Sequence, residues 1–411
     1  MTRYLIVGGG PAGISAAQAI RAKDPDGTIT VLDRDQDPPY YRTELDTYIA
    51  GSTSEAEMPL HPEAFYAEQR IDLRLQTAAT ALRPTQRTVQ LATGEVLSYD
   101  ALLLALGALP LTPPWFDATK SALTTVRTWQ DARRVVQRAT AGTGPVVVVG
   151  GGVLGMILAE GLRERGRPVE LLEREPRLWA PMLDDESSSI LAAKLTERGI
   201  AVRLKEEITH VEAAGLSVAL TTSQGRQISS DLVVVAIGVK PDLALLEGTD
   251  VRADRGILID HECRTNVPGI FAAGDAAQAY DPLTGQFRVV TNWNYAMEQG
   301  KLAGTCMAGG SAPAKGALVS NAESFCGVRV SGLGLAQGVS GSTVVIGRDS
   351  AKGIYRKLAL KQDRLIGALL VGNTSGEGMM RKTMLDGAAI TLADVKSRFL
   401  TGLVLEERAI A

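Results

Sequence analysis

Two short glycine-rich stretches carry the residue types and spacing in this chain that could do chemistry. They read Val7-Gly8-Gly9-Gly10-Pro11-Ala12-Gly13 and Val149-Gly150-Gly151-Gly152-Val153-Leu154-Gly155. Each follows a short apolar run and precedes a helix-like segment. In that context the first glycine (Gly8, Gly150) permits a tight strand-to-helix turn. The second (Gly10, Gly152) lets a pyrophosphate approach the backbone, and the third (Gly13, Gly155) lets the helix pack on the strand. Pro11, Ala12, Val153 and Leu154 open the two helices, whose N-termini offer free N–H groups and partial positive charge to phosphates. The signature is complete when a carboxylate about 20 residues further on can accept from a ribose hydroxyl. Asp33, followed by Arg34, and Glu173 fill that role. Glu173 would accept from a free 2′-hydroxyl and repel a 2′-phosphate, which favours NADH over NADPH at the second site, although Arg174 beside it softens the preference.

The elements that must position these residues are legible around them. Residues 4–7 read as a strand, residues 12–22 as a helix, and Thr28 to Leu32 as the next strand, a βαβ unit ending at Asp33. Tyr99 to Gly107 is an apolar strand whose end carries Ala105 and Gly107, and the proline-rich stretch from Pro110 to Pro114 reads as a domain exit. The pattern then repeats: Val146 to Val149 as strand, Gly155 to Arg165 as helix, Val169 to Leu172 as strand delivering Glu173. Leu232 to Ile237, closed by Gly238, reads as a buried strand leaving the second nucleotide domain. Gly269 to Asp275 is one more apolar strand. From about Lys315 the pattern changes to short strands (Ser342 to Ile346, Tyr355 to Leu360, Leu365 to Val371) followed by helical segments Gly378 to Leu385 and Thr391 to Phe399.

Bulk properties narrow the function classes. At 411 residues the chain exceeds what one core usually organises, so two or three domains are expected. Hydrophobic residues make up 45%, charged residues 22%, and the net charge of -3 supplies no field for nucleic acid. The strand at residues 4–7 leaves no room for a signal core, and nothing approaches the roughly 18 consecutive apolar residues of a membrane span. A cytoplasmic location without membrane contact is expected. Cys263, Cys306 and Cys326 form no C-x-x-C pair and read as buried small hydrophobes. His61, His210 and His261 are equally scattered, so no metal is assigned.

Beyond these features, nearly the whole chain resembles the two-dinucleotide-binding flavoprotein reductases. Within them it is most similar to the NADH:rubredoxin reductases and the flavin portion of assimilatory nitrite reductase, and more distantly to the ferredoxin reductases of oxygenase systems. Thr265 to Asp275, T-N-V-P-G-I-F-A-A-G-D, matches that family's second FAD motif. The resemblance implies that Gly274 and Asp275 hold the flavin ribityl and phosphate region. Trp293 to Lys301 is similar to the W-x-x-A-x-x-Q-G helix, so Trp293 and Ala296 would face the flavin pyrimidine edge, where a helix N-terminus favours negative charge. Tyr40-Tyr41-Arg42 with Leu45 and Tyr48 to Gly51 resembles the flavin-side loop, implying that Arg42 lies against FAD. Val126-Arg127-Thr128 resembles the arm whose arginine reaches FAD, and by family position Ala79 contacts adenine. Arg34, Ala105, Gly107 and Gly238 complete the cofactor-binding set.

The departures from that family are specific. Residues 38–51 contain no cysteine, which argues against thiol–disulfide and cysteine-sulfenate chemistry. Many relatives pair a loop lysine with a glutamate on the second fingerprint helix. Here those positions are Asp46 or Thr47 and Ile157, with Glu160 one turn further on as a possible substitute or a plain helix residue.

The expected fold class is α/β: two Rossmann-like dinucleotide-binding domains plus a small C-terminal α+β domain. Residues 1–115 and 242–314 would form a discontinuous FAD domain, 116–241 the NADH domain and 315–411 an interface domain. The expected activity is FAD-dependent NADH oxidation, with electrons passed to a small redox protein, rubredoxin or ferredoxin. No side chain is assigned a catalytic acid, base or nucleophile role, because the cofactor does the hard step. Three alternatives remain open at this level: an FAD subunit of an amino-acid or amine dehydrogenase, a partner subunit of a larger reductase complex, and a nucleotide-gated flavoprotein scaffold. A homodimer is a further possibility.

Overall fold

A computed structural model describes residues 1–117, 119–312 and 316–410. The expected limit between residues 314 and 315 lies outside the described residues. The backbone divides into two compact units. One comprises Met1–Thr43, Glu55–Leu109 and Val239–Leu318; the other comprises Glu44–Ser54, Pro110–Gly238 and Val319–Ala411.

The first unit is built on a five-stranded parallel sheet in the order Ile270–Ala272, Ala101–Leu104, Arg3–Val7, Thr28–Leu32, Ile71–Arg74. Its central strands are buried apolar runs, as expected of a parallel sheet covered on both faces. The register sets Val7 opposite both Leu32 and Leu104, so the first glycine turn and the carboxylate of Asp33 emerge at the same sheet edge. Helices Pro11–Lys23 and Trp293–Met307 pack together through glycines rather than large side chains. A Cβ on Gly300 would lie 2.1 Å from the Ala12 carbonyl oxygen, and one on Gly304 would lie 2.3 Å from that of Ala16. The Trp293–Met307 helix is thereby held directly against the first fingerprint helix.

In the second unit the parallel sheet runs Ile200–Leu204, Val169–Glu173, Val146–Val149, Leu232–Val235, Leu123–Thr125. The four valines at 146–149 are β-branched and buried on both faces, and their composition dictates a central strand. An antiparallel sheet of Ile208–Ala214, Ser217–Thr222 and Gln227–Ser230 closes the core beneath it, with Val211, Leu220 and Ile228 packed among Val147, Val149 and Val235.

The C-terminal part of this unit is a six-stranded antiparallel sheet. Its order is Ser320–Phe325, Val328–Gly334, Arg364–Val371, Ile354–Lys361, Thr343–Asp349, Val404–Ala409, with helices Glu377–Asp386 and Leu392–Phe399 following the sheet's middle strands in sequence. Unanticipated from the sequence are the Leu45–Ala50 helix inside the 38–51 loop, the 320–334 hairpin and the last strand. Each is too short or too polar to carry a clear period.

The helix contact predicts its own test. Gly300→Ala forces main chain away from Ala12 and is expected to cost about 1–3 kcal/mol in denaturant unfolding. Gly378→Ala, in open space on an exposed helix, is expected to be neutral or stabilising by up to about 1 kcal/mol.

Candidate dinucleotide sites

The two glycine loops are geometric copies. Gly8 and Gly150 adopt φ of 113° and 110°, and a Cβ on either would strike backbone: Ala105 O at 2.1 Å or Ala236 O at 2.5 Å. Gly13 and Gly155 lie across from the Gly8 and Gly150 carbonyls, where an added Cβ would stand 1.9 and 1.7 Å away. Gly10 and Gly152 differ from these: nothing lies within 4 Å of their Cβ positions. Each is the N-cap of its helix, without a side-chain cap or an acidic residue in the first turn. Helices Trp129–Ala141, Asp185–Glu197 and Leu392–Phe399, by contrast, are closed by capping boxes. No N-cap side chain therefore bonds the first N–H groups of the two fingerprint helices, and the Cβ positions of Gly10 and Gly152 face open space. That arrangement fits a bound pyrophosphate in both copies.

The carboxylates are held the same way. Asp33 Oδ2 accepts from the Gly9 N–H at 3.0 Å and its Oδ1 from the Asp35 N–H at 3.0 Å. Glu173 Oε2 accepts from the Gly151 N–H at 2.6 Å and its Oε1 from the Glu175 N–H at 2.8 Å. The middle glycine of each GGG triplet, to which the sequence pattern gave no role, thus locks the following carboxylate to the loop. It must be small: a Cβ on Gly9 would lie 2.4 Å from Asp33 Oδ2, and one on Gly151 3.0 Å from Glu173 Cβ. Burial raises the Asp33 carboxyl above its ordinary range, opposed by the Asp35 N–H, by Arg42 and by the Gly9 N–H. Arg174 pairs with Glu175 at 3.4 Å and is largely exposed.

Around the first loop, Gly274 (φ 77°) packs on Ala12 and Ala296, its Cβ position 3.1 and 3.6 Å from their methyls. Its N–H donates to the buried Gln299 Oε1 at 2.9 Å, a contact that makes Gln299 a positioning residue the sequence reading passed over. Asp275 follows in the Gly274–Ala276 turn, and Trp293 opens its helix behind the Asn292 cap, with the Tyr41 ring 6.1 Å away. Arg42 donates to Asp35 at 3.0 Å and lies over the Tyr40 ring, linking the loop arginine to the Asp33 cluster. Ala105 bonds Val7 through its N–H, and Gly107, at φ 71°, accepts from Asp242 N–H. Arg34 turns to Asp242, 2.8 Å away. The Thr77 N–H donates to the Asp33 carbonyl, which brings the start of the Ala79–Arg83 strand beside that acid. In the second unit, Gly238 (φ 116°) accepts from the Leu111 N–H, and the Arg127 N–H donates to Asp131 at the start of its helix.

The positions that depart from the flavoprotein pattern are also occupied. Glu160 accepts from the Cys326 N–H at 2.8 Å, in the turn of the 320–334 hairpin, so it serves that turn. The Leu45–Ala50 helix packs on the second fingerprint helix, where Gly161 leaves space for Ala50, and Arg165 donates to the carbonyls of Tyr48 and Ile49. Asp46, on that helix, is pushed up to about 6, first by burial and then by Glu323 and Glu44, against the pull of the Asp46 and Thr47 N–H groups. All three cysteines are free and buried. Burial raises the Cys263 thiol well above its usual range, and burial with the Glu160 carboxylate pushes Cys326 up to about 12. Such thiols do not ionise at neutral pH. No cluster of metal-ligating side chains occurs among the described residues, and no helix among them is long and apolar enough to cross a membrane.

With this geometry in view, comparison with known proteins is decisive for the family. Residues 2–300 match the model described as "Pyridine nucleotide-disulphide oxidoreductase", and residues 324–388 match "Rubredoxin NAD+ reductase C-terminal domain". The chain belongs to the pyridine nucleotide-disulphide oxidoreductase family. It is an oxidoreductase of the FAD- and NADH-using kind. The chain is 31% identical over all of its length to the NADH-dependent phenylglyoxylate dehydrogenase subunit epsilon of Aromatoleum evansii, covering 97% of that protein. It is 28% identical to a rubredoxin-NAD(+) reductase of Pseudomonas putida, over 95% of this chain and 99% of the other. Among solved structures, a ferredoxin reductase from Rhodopseudomonas palustris superimposes with a TM-score of 0.87 at 26% identity, covering 95% of this chain and 96% of that one.

Two outcomes are expected. Gly152→Ala should leave the melting temperature within about 2 °C while weakening dinucleotide binding roughly tenfold or more, whereas Gly155→Ala should destabilise the fold itself; thermal melts with binding titrations separate the two. For Asp46, the raised folded pKa means its contribution to stability is fully present below about pH 4 and is lost as pH rises through about 6. Asp46→Asn should therefore match the parent at pH 4 and exceed it at pH 7 by at most about 3 kcal/mol, read by denaturant unfolding across that range.

Proposed function

We propose that the protein is a cytoplasmic FAD-dependent NADH oxidoreductase that delivers electrons to a small iron–sulfur carrier such as rubredoxin or ferredoxin. The Gly8–Gly13 loop would hold FAD, with Asp33, Arg34, Arg42, Ala79, Ala105, Gly107, Gly274, Asp275, Trp293, Ala296 and Arg127. The Gly150–Gly155 loop would hold NADH, with Glu173 and Gly238. The observation that carries this reading is the doubled loop, each with an uncapped helix N-terminus, an open second glycine and a locked carboxylate.

FAD, held by the first glycine loop and Asp33, would supply hydride acceptance from NADH and one-electron release to an acceptor. The chain's own residues bind and orient. Glycine-loop N–H groups neutralise the pyrophosphates, and Asp33 and Glu173, each already turned toward its loop by two N–H donors, keep free lone pairs for ribose hydroxyls. The Asn292-capped helix aims its positive end past Trp293, which favours an electron-rich group there. No thiol need ionise, in keeping with three buried cysteines, of which burial raises Cys263 and Cys326.

A second reading has its own support, the full-length similarity to a dehydrogenase subunit epsilon. In it, the protein is the NADH-linked flavoprotein subunit of a larger complex. Affinity purification from the native cell separates the two, since a stoichiometric set of subunits supports the complex and a lone chain the carrier reductase.

Under anaerobic rapid mixing, NADH is expected to bleach the flavin band faster than NADPH does; no bleaching by either nucleotide would sink the proposal. Glu173→Gln removes the charge that repels a 2′-phosphate and is expected to shrink the preference for NADH roughly tenfold, measured as the ratio of kcat/KM values.

A further inference from the structure

The segment between Glu173 and the Asp185–Glu197 helix touches the second glycine loop with one end and the C-terminal sheet with the other. The Trp179 N–H donates to the Gly151 carbonyl at 2.8 Å. Leu178 packs so closely that a Cβ on Gly151 would lie 2.7 Å from Leu178 Cδ2, and its N–H donates to Ser188 Oγ at 2.9 Å. Gly151 is the residue whose N–H holds Glu173. Residues 178 and 179 therefore bear directly on the loop that would carry the NADH pyrophosphate and on the glycine that anchors the ribose acid.

From Trp179 to Asp184 the segment also contacts the C-terminal part of the unit, its sheet and the loop at Gln337. The Trp179 ring meets Phe325 edge-on, with centroids 6.4 Å apart. Met182 lies over the Gly332 backbone, where a Cβ would come within 2.4 Å of its sulfur, and the Gln337 amide donates to the Met182 carbonyl. The Asp184 carboxylate accepts from the Tyr355 hydroxyl and pairs with the buried Lys357 at 3.2 Å, while Lys357 also donates to Gln337 Oε1 at 2.8 Å. Trp179 itself sits at φ 42°, a left-handed conformation uncommon for a bulky residue, and its carbonyl accepts from the Met182 and Leu183 N–H groups. Such a conformation persists only where its surroundings over-determine it. Here the surroundings are the glycine loop and the sheet.

We propose that Trp179 is a positioning residue for the dinucleotide site, transmitting the packing of the C-terminal sheet at Phe325 to Gly151 and so setting the affinity of the second glycine loop for NADH. This rests on the reading that the loop takes NADH. Coupling of this kind is reciprocal, so NADH binding alters the sheet at Phe325 by the same free energy.

The test is a double-mutant cycle on the FAD-loaded, full-length protein, with NADH affinity measured by calorimetry under anaerobic conditions and KM and kcat measured in parallel. Phe325→Leu removes the ring contact without touching the loop. Trp179→Gly keeps the left-handed backbone while deleting the ring. Each is expected to weaken NADH binding roughly three- to tenfold, raising KM and leaving kcat within twofold, and the double variant is expected to be no weaker than Trp179→Gly alone. Trp179→Phe should restore binding to within twofold. Gln337→Ala, which frees the Met182 carbonyl and touches neither ring, should move the affinity in the same direction, and it decides the matter if Phe325→Leu does not fold. Parent-like affinity in folded Phe325→Leu, or in Gln337→Ala where that variant decides, overturns the proposal, as does additivity in the cycle. A parent protein that binds no NADH overturns the functional reading as well, whereas a parent that binds NADH with variants that bind it equally overturns the coupling alone.

Discussion

Two main-chain carbonyls stand where side chains would otherwise be. With Gly8 O and Gly150 O pressed against Gly13 and Gly155, each fingerprint helix starts directly at the edge of its sheet. No residue larger than glycine fits between strand and helix there, and without that closeness the helix N-terminus would not face the space in front of Gly10 or Gly152. The arrangement costs two residues their side chains and leaves helix N–H groups uncapped. A free helix end is unfavourable unless something bonds it. A pyrophosphate would satisfy those donors.

The carboxylates extend this logic. Asp33 directly follows, and Glu173 ends, the second strand of each βαβ unit, and the register of the parallel pairing puts them level with the glycine turn. Each spends one oxygen on the middle glycine's N–H and the other on the residue two positions further on. The acid is thus oriented before any ribose arrives, which lowers the ordering cost of binding. In the first unit the cluster reaches further, through Asp35 to Arg42, while Gly274, packed on Ala12, is held by Gln299. Close glycine contacts between the Pro11–Lys23 and Trp293–Met307 helices make that arrangement rigid.

The sequence was explicit where a rule is local. Glycine spacing, the apolar runs before each turn and the acids that follow need only a few neighbouring residues to be recognised, so the two glycine loops and their βαβ settings were legible. Less legible were elements whose partners lie far away in the chain. The Leu45–Ala50 helix has six residues and no hydrophobic period of its own; its stability comes from Arg165 on its last carbonyls and from the gap at Gly161. Glu160 looked like a surface helix residue or a substitute acid, and its bond to Cys326 N–H depends on a hairpin that lies far along the chain.

By itself, then, the sequence determined that two glycine loops of one spacing exist, that an acid follows each at the end of the next strand, and that residues 38–51 hold no cysteine. These are statements about backbone freedom and residue chemistry within short windows, and they hold whatever the rest of the chain does. Tertiary structure alone decided what the middle glycines do, that Gln299 holds Gly274, and that Trp179 lies between Gly151 and Phe325. The physical reason is that such contacts join residues brought together only by folding, and a hydrogen bond or a ring contact leaves no periodic trace in sequence.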